Sequence, residues 1–342
     1  NRVYGTLESL SDTTYESLLS KIHLSVNGND ITPRNYQLDA LSVMLSRERT
    51  LLLSPTASGK SLMIYLGIRH YLENNDGKVL IIVPTTSLVE QMYKDFGDYS
   101  SKDTWNHEDN CHRIYSGREK FGVNQRVLIS TWQSIHKLGQ EWFQDFGMVI
   151  GDEAHNFKAK SLTSILEKCT NAKYRIGTTG TLDGTQTHQL VLEGLFGPVY
   201  KVITTKELID NNDLSQLDID ILILKYKDEL CKEMVSKKYQ EELDFIVRYQ
   251  PRNNFISNLA YDLTGNSLIL FNYVEKHGKP LHSLLVEKNK SDRKIFYVSG
   301  ETDVDTRESI RAITEKEENA IIVASIGTFS TGINIKRLHN II

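Results

Sequence analysis

Two stretches of this sequence combine residue types and spacings suited to phosphate chemistry. The first is Ser54-Pro-Thr-Ala-Ser-Gly-Lys-Ser61. It matches the phosphate-loop pattern GxxxxGK followed by Ser or Thr, except that Ser54 stands where the first glycine is usual. The loop residues Pro55, Thr56, Ala57, Ser58 and Gly59 are expected to bind ATP. Successive backbone N–H groups and the positive end of the following helix can cradle a β-phosphate. Gly59 lets the backbone approach closely, Lys60 neutralises β and γ charge, and the Ser61 hydroxyl ligates Mg²⁺. The second stretch is Met148-Val-Ile-Gly-Asp-Glu-Ala-His155. Its adjacent carboxylates can divide the labour, Asp152 holding Mg²⁺ through its waters and Glu153 deprotonating the water that attacks the γ-phosphate. His155 is placed to sense the nucleotide or to bridge to a neighbouring domain.

These residues need elements that bring them together. Short aliphatic runs at Leu51–Leu53, Val79–Val83, Val127–Ile129, Met148–Ile150 and Tyr174–Ile176 alternate with longer amphipathic stretches such as Ser61–Leu72 and Leu88–Phe96. That rhythm predicts βαβ units and a buried parallel sheet. Ligands bind at the carboxyl ends of such strands, so the loop and the acidic box should face one crevice. A second series, Ile219–Leu224, Leu268–Phe271, Ile295–Val298 and Ile321–Ala324, predicts a second α/β domain. The polar, acidic stretch 204–220, with Asp210 to Asp213 in a row, reads as the linker.

The chain has 342 residues, room for two domains, and a net charge of −4, which excludes a wholly cationic nucleic-acid binder. Any nucleic-acid path must therefore be a local positive stripe. The longest aliphatic run, Val79–Val83, is far too short for a membrane span. Cys111, Cys169 and Cys231 lie far apart with no CxxC spacing, so they read as idle thiols in a reducing cytoplasm. No signal peptide is recognisable at the start.

With the loop and the acidic box in order, the chain resembles the superfamily 2 helicases and translocases, and further segments fit. Arg34, Tyr36 and Gln37 resemble the motif that reads adenine, and Pro84–Gln91 resembles motif Ia. Ser130-Thr-Trp-Gln133 resembles a strand-contacting motif. Thr178-Thr-Gly-Thr181, with Thr179, Gly180 and Thr181, sits where the family couples hydrolysis to movement. Leu268–Tyr273 resembles motif IV, Tyr297–Gly300 with Arg307 the segment after it, and Ala324–Asn334 motif V. Within the superfamily, Lys78–Leu88 and Ile322–Ile333 are similar to the phage recombination and repair helicases.

The resemblance implies two tandem RecA-like P-loop domains, at 31–203 and 221–342, after a leader at 1–30. It implies ATP and Mg²⁺ as cofactors, with Gly332 and Asn334 adding to the nucleotide site. It implies ATP-driven movement on branched or single-strand-containing duplex DNA, by a monomer in the cytoplasm, the host's if phage-encoded. Nucleic acid would meet Thr85, Thr86, Thr131, Trp132, Gln133, Gly300, Arg307 and Thr328. Further basic clusters stand at Lys237-Lys238, Arg248 with Arg252, Lys276–Lys279 and Lys288–Lys294. No segment matches the family's motif VI, which carries an arginine finger, so the second domain reads as C-terminally incomplete and this chain is expected to hydrolyse ATP slowly. RNA helicase, duplex-DNA translocase like a restriction motor subunit, and nucleotide-gated binding module remain the alternatives.

Overall fold

The computed structural model describes residues 12–182, 184–290, 293–329, 335 and 337–342. The expected site residues Gly332 and Asn334 lie outside them. The chain divides into two compact units, Asn1–Leu217 and Asp218–Ile342.

The first unit is built on a seven-stranded sheet: β1 Arg49–Leu53, β2 Lys78–Val83, β3 Cys111–Ile114, β4 Val127–Thr131, β5 Phe146–Asp152, β6 Tyr174–Thr179 and β7 Val199–Lys201. Their spatial order is β3-β4-β2-β5-β6-β1-β7, and every pairing is parallel. Alternate residues feed two cores. Leu52, Ile81, Ile129 and Ile150 pack on one face with helices α1 Asn35–Arg47, α2 Lys60–Asn74 and α3 Thr86–Tyr99. Leu51, Leu80, Leu128 and Val149 pack on the other against Phe157, Leu166 and Phe196. Both faces being covered explains why the strands read as continuous aliphatic runs. The order sets β6 between β1 and β5, with Leu53 opposite Thr179 and Asp152 opposite Thr178. The loop, the coupling segment and the acidic box are therefore neighbours at one sheet edge.

Among the described residues the second unit carries four parallel strands, β8 Ser267–Phe271, β9 Ile295–Val298, β10 Ile321–Ser325 and β11 Asn340–Ile341, in the order β9-β10-β8-β11. Helices α4 Tyr239–Arg248 and α5 Gln250–Asp262 precede β8.

One expectation changes. The aliphatic run Ile219–Leu224 is not a strand: it makes no ladder, and Ile219, Ile221 and Ile223 are 77%, 83% and 80% exposed. An apolar run has strand propensity, but without a neighbour to take its backbone bonds it stays irregular. The stretch read as a linker opens with a helix, Thr205–Asp210, capped by the Thr204 hydroxyl on the Glu207 N–H. Its Asp213 pairs with Arg34 at 3.0 Å, so the acidic run contributes a contact within the first unit. Among the described residues no helix is long and apolar enough to cross a membrane.

Candidate nucleotide site

Loop 54–59 turns from β1 into α2 through two left-handed residues, Ala57 (φ 66°) and Gly59 (φ 79°). The left-handed φ at Gly59 favours glycine, and a side chain there would also displace the Gln37 amide. Ser54, in place of the usual glycine, is fully buried and has a task of its own. Ser58 Oγ donates to the Pro55 carbonyl at 2.7 Å, so at 2.6 Å Ser54 Oγ donates to Ser58 Oγ and straps the loop across its base. The adenine-type segment braces the loop from outside. Tyr36 Oη and Gln37 Nε2 both donate to the Ser58 carbonyl, at 3.1 and 2.9 Å, and Arg34 donates to Tyr36 Oη at 3.0 Å. Lys60 Nζ leans on the Ser54 and Pro55 carbonyls at 3.4 and 3.5 Å, contacts long enough to be exchanged for a phosphate.

Asp152 closes β5 and is 6% exposed. Its Oδ1 accepts from Thr178 Oγ1 at 2.6 Å and from the Glu153 N–H at 2.9 Å, while Oδ2 has no protein partner among the described residues. Glu153 is held at φ 50°, ψ 50°, a region that non-glycine residues seldom occupy and that recurs at functional sites. Burial raises its carboxyl above the usual range, and the Asp152 charge adds to that, against the opposing pull of Lys60 and His155. His155 Nδ1 lies 3.0 Å from Thr179 Oγ1, whose own proton goes to the Thr181 carbonyl at 2.9 Å, so the imidazole donates through Nδ1. The same nitrogen is 3.4 Å from Glu153. A Cβ at Gly180 would sit in ordinary van der Waals contact with the backbone of Ser54 and Pro55, so the segment passes close to the loop.

The model of the type III restriction enzyme res subunit family matches residues 30–184, the part that holds this constellation. The chain is 38% identical over 98% of its length to the ATP-dependent DNA helicase uvsW of Enterobacteria phage T4, and spans 66% of that relative's length. A crystal structure of T4 UvsW aligns over 98% of this chain and 65% of its own, at 37% identity and a TM-score of 0.52. A second, of the UvsW helicase from bacteriophage T4, aligns over 57% of this chain and 68% of its own, at 38% identity and a TM-score of 0.51. The chain belongs to the UvsW helicase family. Its two units are RecA-like and tandem, as in those relatives, and a nucleotide is what the family uses.

The residues present fit a nucleotide and a magnesium ion bound with it. Mg²⁺ takes one or two protein oxygens and fills its shell with water and phosphate. A buried Asp152 with one oxygen committed and one uncommitted suits that role. Ser61, the other expected ligand, instead shares its hydroxyl with Tyr99 Oη at 2.8 Å, so it must turn to serve a metal.

The expected nucleic-acid contacts are mostly engaged in local bonds. Thr85 Oγ1 caps α3 by accepting from the Leu88 N–H at 3.3 Å, whereas Thr86 is exposed. Thr131 is 6% exposed and bonded to Ser134, and Trp132 packs on His136 and the core behind it. Exposed Gln133 reaches the Pro84 carbonyl at 3.4 Å. In the second unit Arg307 is turned onto the Gly300 and Ser299 carbonyls at 3.2 and 3.5 Å, and Thr328 bonds Ser325 at 2.6 Å.

Sequence reasoning missed the supports. Thr178 orienting Asp152, Tyr99 holding Ser61, and Asp213 holding Arg34 all act across long sequence separations. Only Thr178 carried a signal, since it lies in a segment already singled out for coupling. Burial raises the Asp95 carboxyl above its usual range, against the opposing pull of Gln91 and Ser61.

Proposed function

We propose that this chain is an ATP-driven DNA motor that acts on branched DNA, with Lys60, Asp152 and Glu153 as its chemical centre. The observation that carries the reading is the pair Asp152–Glu153: one carboxylate buried and oriented, the next held in a left-handed turn with raised proton affinity, both at the strand edge beside the phosphate loop. Magnesium bound with ATP supplies charge neutralisation at the β and γ oxygens; Asp152 and Ser61 would hold it. Lys60 leaves its two carbonyls to meet the phosphates. Glu153 takes the proton of the attacking water, and its raised proton affinity makes it a better base than an exposed carboxylate. His155, bonded to Thr179, links the acidic box to the segment Thr179–Thr181, a route by which hydrolysis can be felt as movement.

The T4 relative's name, an ATP-dependent DNA helicase, supports DNA as the track, and the restriction-subunit family model favours duplex translocation as the second reading. The test is ATPase stimulation by a fork, a four-way junction, plain duplex and RNA at one stated salt concentration. Stimulation greatest with the fork or junction is expected. Greatest stimulation by plain duplex would favour the second reading, and stimulation by RNA alone would overturn DNA as the track.

A further inference from the structure

In the second unit, α4 and α5 meet at Tyr249 and enclose an open dish of about 500 Å³ lined by Asp244, Phe245, Arg248, Tyr249, Gln250 and Pro251. Proline in the first turn of α5 stiffens the corner. Phe245 and Tyr249 lie 5.2 Å apart with ring planes 35° from each other, and Tyr226 backs both at 6.1 and 5.1 Å. The aromatic wall is thus preassembled.

The charges around the dish are unbalanced. Its one acid, Asp244, is neutralised by Lys276 Nζ at 2.8 Å from each oxygen, and that ammonium holds the carboxyl below its usual range. Exposed Arg248 has no carboxylate within ion-pair distance among the described residues. Arg252, in the first turn of α5, donates to His277 Nε2 at 3.3 Å. Burial, with the arginine's own charge, drives His277 down to about 4, so the imidazole accepts as a neutral ring and leaves the guanidinium charge uncancelled.

Lys276 and His277 reach these positions because the chain after β8 winds as a π-helix, Val274–Gly278, in which the His277 and Gly278 N–H groups share the Tyr273 carbonyl. At Gly278 a side chain would run into the Phe271 ring, so glycine lets this turn pack closely against β8. π-Turns occur mainly at functional sites, and this one follows the carboxyl end of a central parallel strand, where ligands bind.

We infer that this dish is a stacking seat for one unpaired nucleobase of a single-stranded stretch, with Tyr249 and Phe245 offering ring faces and Arg248 and Arg252 meeting the flanking phosphates. An aromatic wall with uncompensated cations at its rim matches a base carried on a polyanion, and stacking tolerates any sequence. The inference rests on the nucleic-acid reading above.

The test measures binding of a dT oligomer and of a blunt duplex to the full chain across a salt series. Tyr249→Leu should lower the ratio of dT to duplex affinity by about 5-fold or more, the range expected for one stacked base. Tyr249→Trp should keep the ratio, and Arg248→Gln should flatten the dT salt slope by about 0.7. A dT oligomer carrying 5-iodouracil should photocrosslink to Tyr249 or Phe245. An unchanged ratio in Tyr249→Leu, an equal loss in Tyr249→Trp, or crosslinks only elsewhere would overturn the seat. Displacement of the oligomer by equimolar dTMP would overturn a strand as its occupant. A wild-type chain that binds neither probe at any salt would overturn the nucleic-acid reading and the seat with it, whereas loss of the seat alone leaves duplex binding in place.

Discussion

At the scale of single residues, Glu153 concentrates the unusual features: a left-handed backbone, partial burial and a like charge next door. Desolvation is the larger cause of its raised carboxyl pKa, with the Asp152 charge second. A base acts only when deprotonated, so activity is lost as pH falls through the raised value. The acid limb of a kcat against pH profile is therefore expected to lie above the ordinary carboxylate range of about 4.3. A limb at or below that range would separate Glu153 from proton transfer. Lys60, Asp152 and Glu153 were legible in the sequence because their chemistry fixes residue type and local spacing. Their partners were not. Thr178, Tyr99 and Asp213 are ordinary residues that gain meaning only when the strand order and the α2–α3 packing bring them close.

At the scale of elements, α2 carries Lys60 at its start and a buried ion pair farther along. Arg69 meets Asp103 at 2.5 Å with side chains 8% and 3% exposed, lies over the Trp105 ring at 5.1 Å, and donates to Tyr65 Oη at 2.6 Å. This ties the loop after α3 to the helix that leaves the phosphate loop. Removing one partner leaves a buried charge alone, which costs about 3–5 kcal/mol. Asp103→Ala is therefore expected to lower the denaturation free energy of the first unit by that amount, and a loss under about 1 kcal/mol would mean that the pair is solvated in solution. Most strands of the two sheets were readable from their aliphatic runs. Short β3, Cys111–Ile114, was not, since His112 and Arg113 interrupt its apolar pattern on an edge where full burial is unnecessary. The run 219–224 misled for the opposite reason: propensity without a partner strand.

At the scale of the whole molecule, the described part of the constellation, from Arg34 to Thr181 and on to Asp213, lies in the first unit, which has cores of its own on both faces of its sheet. Residues 1–217 expressed alone are expected to bind Mg·ATP by calorimetry, with Lys60→Ala abolishing the signal; a first unit that folds but binds no nucleotide would contradict the placement of the site. Net charge, −4 over 342 residues, says little about a nucleic-acid path, because what matters is where cations stand uncancelled, as exposed Arg248 does. The central claim, that Glu153 activates water on ATP held by the loop, is tested most directly by single-turnover hydrolysis of γ-labelled ATP by the full chain with Mg²⁺. At equal nucleotide occupancy, Glu153→Gln is predicted to cleave at least about 100-fold more slowly than wild type, the loss expected on removing a general base. Cleavage at the wild-type rate by the variant would contradict the account.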